Sequence, residues 1–347
     1  MYPAKSYAAH AASQPLAPYE FSRRALGPSD VLINIQYCGI CHSDIHQVRS
    51  EWGPALYPMV PGHEIVGVVA EVGGKVKKYK VGDKVGVGCM VDSCRECSEC
   101  KEGFEQFCGH PIFTYNSYEK DGKTLAQGGY SDKIVVDESY VLRLPAKLPM
   151  DAVAPLLCAG ITTYSPLRHW KAGPGKKVAI MGLGGLGHMA VKIAKAMGAD
   201  VSVISRSRGK EADAKRLGAD HYFATAEAGT FEKMAKMFDL IICTVSVDLD
   251  WNQYLGLLKR DGTMVLLGVP PKAPPVHAAS LIFGRHSLSG SLIGGIKETQ
   301  EMLDFCGQHG IVSDIELIPI QKAQESYERV IKGDVKFRFV IDMTTLK

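Results

Sequence analysis

The segment Lys176–Ala199, KKVAIMGLGGLGHMAVKIAKAMGA, constrains the fold more than any other part of the chain. Its apolar run Lys177–Met181 is short and strand-like, and an amphipathic helical pattern over Leu186–Met197 follows it. Between the two stand Gly182, Gly184 and Gly187 in G-x-G-x-x-G spacing, with Gly185 and Leu186 filling the turn. In this context Gly182 permits a tight turn, Gly184 lets backbone approach a pyrophosphate, and Gly187 brings helix against strand, which leaves an anion at the positive helix N-terminus. The alternative is a glycine-rich turn that serves packing only. The same alternation continues: Val201–Ser205, His221–Phe223, Leu240–Thr244, Thr263–Leu267 and Ser287–Leu292 read as strands, and Lys210–Leu217, Trp251–Arg260 and Val276–Phe283 as helices. Six strands with crossovers make a doubly wound parallel sheet, the α/β arrangement of dinucleotide-binding domains.

The end of the second strand selects the dinucleotide. A free adenosine 2′-hydroxyl calls for Asp or Glu there, about 20 residues past the glycines. This chain has Ser205, Arg206, Ser207 and Arg208, with Lys210 close by. Two guanidiniums and two hydroxyls suit a 2′-phosphate, so the segment favours NADP(H) over NAD(H). A solvated loop with chance arginines is the competing reading.

The first third has a different texture. Short β-branched runs (Val31–Tyr37, Ile65–Val72, Val81–Val87, Ile134–Val136) separated by turn residues describe an all-β, barrel-like region. Within it, Cys94–Gly129 has little hydrophobic periodicity but holds Cys94, Cys97, Cys100 and Cys108, in C-x2-C-x2-C-x7-C spacing. Ten cysteines in 347 residues are too dilute for a disulfide scaffold, and four so close suit tetrahedral zinc. An iron–sulfur cluster fits the spacing too. Four sulfurs fill every position of a zinc ion, so this zinc would be structural. A second set is dispersed: GICHSDIH (Gly39–His46), PGHE (Pro61–Glu64) and LLCAGITT around Cys158. Singly, Cys158 reads as a small core residue and His63 as a hydrogen-bonded histidine.

Taken with GVGCMVDSCRECSEC, GGYSDKIVV, APLLCAGITTYSPLRHW, LLKRDGTMVLLG and GDVKFRFVIDM, in that order, these motifs give a chain that resembles the zinc-dependent medium-chain dehydrogenases, in their cinnamyl alcohol dehydrogenase branch with its bacterial aldehyde reductases. The resemblance implies a GroES-like β-barrel catalytic domain over 1–153, with a structural-zinc lobe near 89–113. A Rossmann domain over 154–294 and a return to the catalytic domain over 295–347 complete the expected organisation. It implies two zinc ions per chain and NADP(H). The catalytic zinc falls to Cys41, His63 and Cys158, with Glu64 beside it and Asp44 fixing the histidine. Ser43 and His46 form the proton relay, and Thr162, Val269, Ser291 and Ile293 lie along the cofactor. Trp52, Cys89, Phe113 and Leu292 face the substrate, an aromatic or medium-chain aliphatic aldehyde. The zinc acts as a Lewis acid while hydride passes from the nicotinamide. A homodimer, sheet to sheet through the strand at Gly290–Gly294, is the expected assembly, with a tetramer as the alternative.

Composition removes other classes. With 40 basic against 37 acidic side chains and no basic run, nothing draws the chain to nucleic acid or an anionic membrane. Glu96, Glu99, Glu102 and Glu105 in the cysteine lobe speak against a nucleic-acid-binding zinc ribbon. No apolar run is long enough to span a bilayer, and Met1–Tyr19 lacks the apolar block of a secretory signal, so the expected address is the cytoplasm. Two alternatives remain: an NAD-dependent polyol dehydrogenase, which Ser205–Arg208 disfavour, and a non-catalytic NADPH-binding protein, which would have lost one of the three zinc ligands.

Overall fold

The computed structural model describes residues 1–347, which form two compact units: Met1–Cys158 together with Gly294–Lys347, and Ala159–Ile293. In the first unit the strand Asp30–Gly39 is the hub of a seven-stranded sheet. It pairs antiparallel with Ile65–Val72, Lys133–Asp137 and Arg338–Asp342. Lys84–Val87 and then Leu142–Arg143 extend one side, and Ile315–Pro319, parallel to Arg338–Asp342, extends the other. The hub strand's pairing with Ile65–Val72 shifts register twice, at Leu32/Ile33, where Ala70 of the partner is the extra residue, and at Ile35/Tyr37, where Gln36 of the hub is, as at β-bulges. The β-branched residues expected in the core, among them Val31, Ile33, Ile65, Val69, Val85, Val87 and Ile134, are buried.

Several limits differ from the sequence pattern for local reasons. The run Val81–Val87 starts its strand only at Lys84, because Gly82 takes φ +90° and Asp83 accepts the Lys80 N–H in a turn. Met1–Tyr19, featureless in sequence, contributes the strand Tyr2–Ala8 to a hairpin with Ala17–Arg23. That hairpin is pinned by the buried Arg23, which donates to the carbonyls of Gln127, Gly128 and Lys133 and to Ser131 Oγ. The expected helix Lys297–Gly310 is Ile296–His309, closed by Gly310 at φ +66°.

The cysteine lobe has almost no core. Its helix, Ser98–Glu102, has no buried residue and ends at Gly103 with φ +83°; a 3-10 turn follows at Glu105–Phe107. A five-residue helix with no buried side chain does not persist in water unless something else fixes its ends.

The second unit is a six-stranded, all-parallel sheet: Lys177–Met181, Asp200–Ser205, His221–Ala224, Phe238–Cys243, Leu258–Leu266 and Ser287–Gly290. Counted in chain order they lie third, second, first, fourth, fifth, sixth, which puts the switch of winding direction beside the first strand. The sequence pattern ran the helix at Trp251 on to Arg260; it stops at Leu255, because Leu258 already pairs with Phe238 in the sheet. The sixth strand ends at Gly290 rather than Leu292 and lies at the sheet edge. No helix is long and apolar enough to cross a membrane.

Candidate active site

Three distant segments of the first unit meet at one point. The hub strand ends at Gly39, and Cys41 then caps the helix His42–Val48. Asp44, in the first turn of that helix and completely buried, accepts three N–H groups: Cys41 N at 2.8 Å, Gly62 N at 3.0 Å and His63 Nδ1 at 3.1 Å. One carboxylate thereby fixes the cysteine, the Pro61–Glu64 loop and the histidine tautomer together, and leaves Nε2 of His63 as its free nitrogen. Cys158 follows the 3-10 turn Ala154–Leu157, and its Sγ lies 3.9 Å from that of Cys41.

One ligand atom from each of Cys41, His63, Glu64 and Cys158 falls within a set no more than 4.8 Å across. Tetrahedral zinc with Zn–S bonds of about 2.3 Å separates its sulfurs by about 3.8 Å, which matches the Cys41–Cys158 spacing. The electrostatics ask for a cation as well. Glu64 is fully buried, and its Oε2 has no hydrogen-bond partner. Burial pushes its carboxyl up to about 7, against the pull of the Arg338 guanidinium. The hydrogen bond from Cys158, reinforced by His63, draws the Cys41 thiol well below its usual range despite burial, as a thiolate ligand requires. For His63, burial opposes the charged ring, but Asp44 outweighs it and holds the pKa well above the normal value.

The second cluster answers the question posed by the coreless lobe. Cys94, Cys97, Cys100 and Cys108 bring their sulfurs into an equally compact set, with Cys94 and Cys100 3.8 Å apart, and all ten cysteines are free thiols. Backbone N–H groups of Glu96 and Cys97 lower the Cys94 thiol to about 6. Both donor sets fit zinc, and the four-sulfur set leaves no position for a substrate.

In the second unit, Gly182 turns at φ +88° and Gly187 packs so close that a Cβ there would stand 2.0 Å from the Gly182 carbonyl oxygen. A Cβ at Gly184 would meet nothing within 4 Å. The turn therefore keeps one glycine for packing and one facing open space, the arrangement a pyrophosphate cradle needs. Gly185 and Leu186 complete it. Lys210 donates to the Leu183 carbonyl at 2.9 Å and so holds its ammonium beside the turn.

Family models match residues 27–146, as an alcohol dehydrogenase GroES-like domain, and 185–308, as a zinc-binding dehydrogenase. NADP-dependent alcohol dehydrogenase C 1 of Mycolicibacterium smegmatis is 60% identical over 99% of this chain and 98% of its own length. Aldehyde reductase YahK of Escherichia coli is 55% identical over 99% of each. Among solved structures, a cinnamyl alcohol dehydrogenase of Sorghum bicolor superposes with a TM-score of 0.96 at 45% identity, covering 99% of each chain. CAD from Helicobacter pylori, complexed with NADP(H), gives 0.94 at 47% identity over 100% of this chain and 99% of that one. The chain is a zinc-dependent medium-chain dehydrogenase of the cinnamyl alcohol dehydrogenase-like branch.

Other residues of the dehydrogenase fall as follows. Ser43 lies with its hydroxyl 3.6 Å from Cys41 Sγ. His46, one helical turn on, bonds Glu51 through Nδ1 at 2.5 Å and stacks on the half-exposed Trp52 at 4.8 Å. Cys89 approaches the Leu157 carbonyl, and Phe113 is partly exposed on a short strand paired with Met90–Asp92. In the second unit Thr162 is buried on the helix Ala159–His169, while Val269 and Leu292 are exposed. Ser291 donates its backbone N–H to the Leu266 carbonyl, and Ile293 holds a left-handed φ of +36°. Arg208, grouped in sequence with anion-binding residues, is paired with Glu227 and Glu211. The absence of a carboxylate from Ser205–Arg208 thus does not extend to the folded neighbourhood, since both glutamates arrive from outside that stretch.

Sequence reasoning missed two residues of the dehydrogenase. Arg338, on the last strand, is buried, bonds Glu64 Oε1 at 2.5 Å and donates twice to the Ile40 carbonyl. A charged residue within the apolar run Phe337–Asp342 was the available signal, because a buried cation needs a buried anion. Glu105 accepts the Ile296 N–H at 3.0 Å and so caps the helix Ile296–His309 from inside the cysteine lobe.

Proposed function

We propose that this dehydrogenase interconverts aldehydes and alcohols with NADP(H), with its catalytic zinc at Cys41, His63 and Cys158 and its structural zinc at Cys94, Cys97, Cys100 and Cys108. The observation that carries the reading is the convergence of two sulfurs, an imidazole and an orphaned carboxylate oxygen within 4.8 Å, buried and at zinc-like spacing. A zinc ion bound there supplies Lewis acidity to the carbonyl or alcohol oxygen, and NADPH supplies the hydride. The rest belongs to the chain. Ser43 exchanges the substrate hydroxyl proton, and His46, held by Glu51, connects that proton to solvent. Asp44 keeps the imidazole oriented, and Arg338 holds Glu64 in place through Oε1, which leaves Oε2 without a partner.

The loop Ser205–Lys210 is the seat of the 2′-phosphate. The relatives named for NADP dependence support this, as does the loop's own charge. Trp52, Cys89 and Phe113 form the substrate wall of the first unit. Its apolar and aromatic character fits aromatic or medium-chain aldehydes. The open edge of the strand Ser287–Gly290 supports a homodimer that continues the sheet. The ten free thiols are consistent with a reducing, cytoplasmic setting.

The test combines zinc per chain with oxidation of NADPH and NADH over benzaldehyde, cinnamaldehyde, aliphatic aldehydes and polyols. Expected are two zinc per chain, preference for NADPH and turnover of the aldehydes. Cys41→Ser should lose one zinc and abolish turnover. Near-normal activity in that variant after metal removal refutes the ligand assignment, and turnover of polyols alone refutes the pocket.

A further inference from the structure

The loop that carries Trp52 is tied to the rest of the first unit at a single distant point. After the helix His42–Val48 the chain turns through Ser50 at φ +56° and runs through the exposed Glu51, Trp52, Gly53 and Pro54 to Tyr57. Its other hydrogen bonds return to its own root: Glu51 N–H donates to the His46 carbonyl at 2.9 Å, Ala55 N–H to Ser50 Oγ at 3.1 Å, and the Tyr57 hydroxyl to the Val48 carbonyl at 2.7 Å. Trp52 itself is half-exposed, with one face of its ring against His46. The one bond that reaches residues 51–57 from elsewhere comes from Asn116, whose Oδ1 accepts the Leu56 N–H at 2.8 Å.

The chemistry of an amide fixes the other half of the contact. A backbone N–H can only donate, so the Asn116 atom facing Leu56 is the oxygen, and Nδ2 is left to donate to Gln47 Oε1 at 2.5 Å. Asn116 thus spans from the helix His42–Val48 to the loop. It is partly buried, and its φ of +52° lies in the left-handed region, which Asn tolerates better than most residues. The segment it belongs to is anchored beside the other wall residues. One residue past Phe113, Thr114 donates its N–H to the Cys89 carbonyl at 3.0 Å and its hydroxyl to the Gly88 carbonyl at 2.5 Å. One amide therefore holds the Trp52 loop in the same frame as Phe113 and Cys89.

We propose that Asn116 is a positioning residue that sets aldehyde selectivity by latching the Trp52 loop to the segment of Phe113. This rests on the reading of Trp52, Cys89 and Phe113 as the substrate wall. With the latch open the loop keeps only the bonds to its own root, and Trp52 loses its fixed place against a ring or a long chain. A three-carbon aldehyde makes no use of that wall. The experiment measures kcat and KM for cinnamaldehyde and propanal, with KM for NADPH, in the full-length zinc-loaded enzyme and in N116G, N116D, Q47E, N116D/Q47E and W52A. Glycine keeps the left-handed backbone and removes the amide. The net worth of two neutral hydrogen bonds bounds the effect, so N116G should raise KM for cinnamaldehyde roughly 5- to 30-fold, with kcat and the propanal and NADPH values within about twofold.

The charge variants test the latch by non-additivity. In N116D one carboxylate oxygen still accepts the Leu56 N–H, and the other accepts from Gln47 once its amide turns over; in Q47E the carboxylate still accepts from Asn116 Nδ2. Each single variant should stay near the parent, whereas N116D/Q47E sets two carboxylates against each other and should behave like N116G. Trp52 is the exposed one of the three tryptophans, so acrylamide quenching of fluorescence reads the loop directly: N116G should raise quenching, and N116G/W52F should not differ from W52F. Parental KM for cinnamaldehyde or parental quenching in N116G overturns the proposal, as do additive effects of the two charge substitutions. So does an equal loss for cinnamaldehyde, propanal and NADPH, which marks damage to the fold as a whole. If W52A leaves the cinnamaldehyde:propanal ratio of kcat/KM unchanged, the substrate wall is misplaced and the proposal falls with it. If W52A shifts that ratio and N116G does not, the wall stands and the latch is refuted.

Discussion

The glycines of the cofactor turn allow a separation of packing from binding within three residues. At Gly187 an added Cβ would stand 2.0 Å from the Gly182 carbonyl oxygen and 2.9 Å from its carbon. A carbon–oxygen contact settles at about 3.3 Å or more, so Gly187→Ala must drive the helix Gly187–Ala196 and the turn apart by roughly 1 Å. Both sides of that contact are backbone, and no side chain can rotate away. The cost falls in the overpacking range, about 1–3 kcal/mol. Gly184 carries no positive φ, and a Cβ there meets nothing within 4 Å. Gly184→Ala should therefore leave the cofactor-free protein within about 0.5 kcal/mol, or stabilise it slightly by restricting the unfolded chain. Its methyl group instead enters the space a pyrophosphate must approach.

The assay is urea unfolding without cofactor, paired with NADPH fluorescence titration. Gly184→Ala should unfold like the parent and bind NADPH at least about tenfold more weakly, a loss of about 1.4 kcal/mol. Gly187→Ala should lose stability before any cofactor is added. Parent-like NADPH binding in Gly184→Ala refutes the cradle, and parent-like unfolding of Gly187→Ala refutes the packing argument.

Three further outcomes follow from the geometry. Asp44→Asn removes the carboxylate that accepts N–H groups from Cys41, Gly62 and His63, and should weaken the catalytic zinc about 10- to 100-fold, read by competition with a chromophoric chelator; unchanged release kinetics contradict it. Gly295→Ala would put a Cβ 1.8 Å from the Gly103 carbonyl oxygen and 2.5 Å from Glu105 Oε2, so it should destabilise by about 1–3 kcal/mol, whereas Glu105→Ala, which only uncaps Ile296, should cost about 1 kcal/mol; hydrogen exchange localised to 296–309 checks both. Burial in the sheet core raises the Cys243 thiol to about 11. A folded pKa above the unfolded value gives stability that is complete below about pH 8.5 and lost as pH rises through 11, so the parent's advantage over Cys243→Ala should shrink by about 2–3 kcal/mol over that interval. A pH-independent difference in urea midpoints between the two would refute it.

What could be read without coordinates was whatever local rules encode. G-x-G-x-x-G between a strand and a helix, four cysteines in a stretch without apolar periodicity, and alternating βα segments each state their own structure, since turn chemistry, metal valence and hydrophobic period act over a few residues. The boundaries that failed were those where a non-local partner decided the outcome: the helix at Trp251 stops because Leu258 is taken by Phe238, and Tyr2–Ala8 is a strand because Ala17–Arg23 lies opposite it.

The charged groups divide the same way. Sequence supplied the cations of Ser205–Lys210 and the cysteines, histidine and glutamate of the metal cluster, because residue type limits what a side chain can ligate. Only the fold decided that Arg338 would lie against Glu64, that Glu105 would cap a helix some 190 positions away, and that Arg208 would be surrounded by Glu227 and Glu211. Those pairings are set by where strands and loops come to rest, and Coulomb interactions, which depend on distance through space and on burial, take no account of separation along the chain.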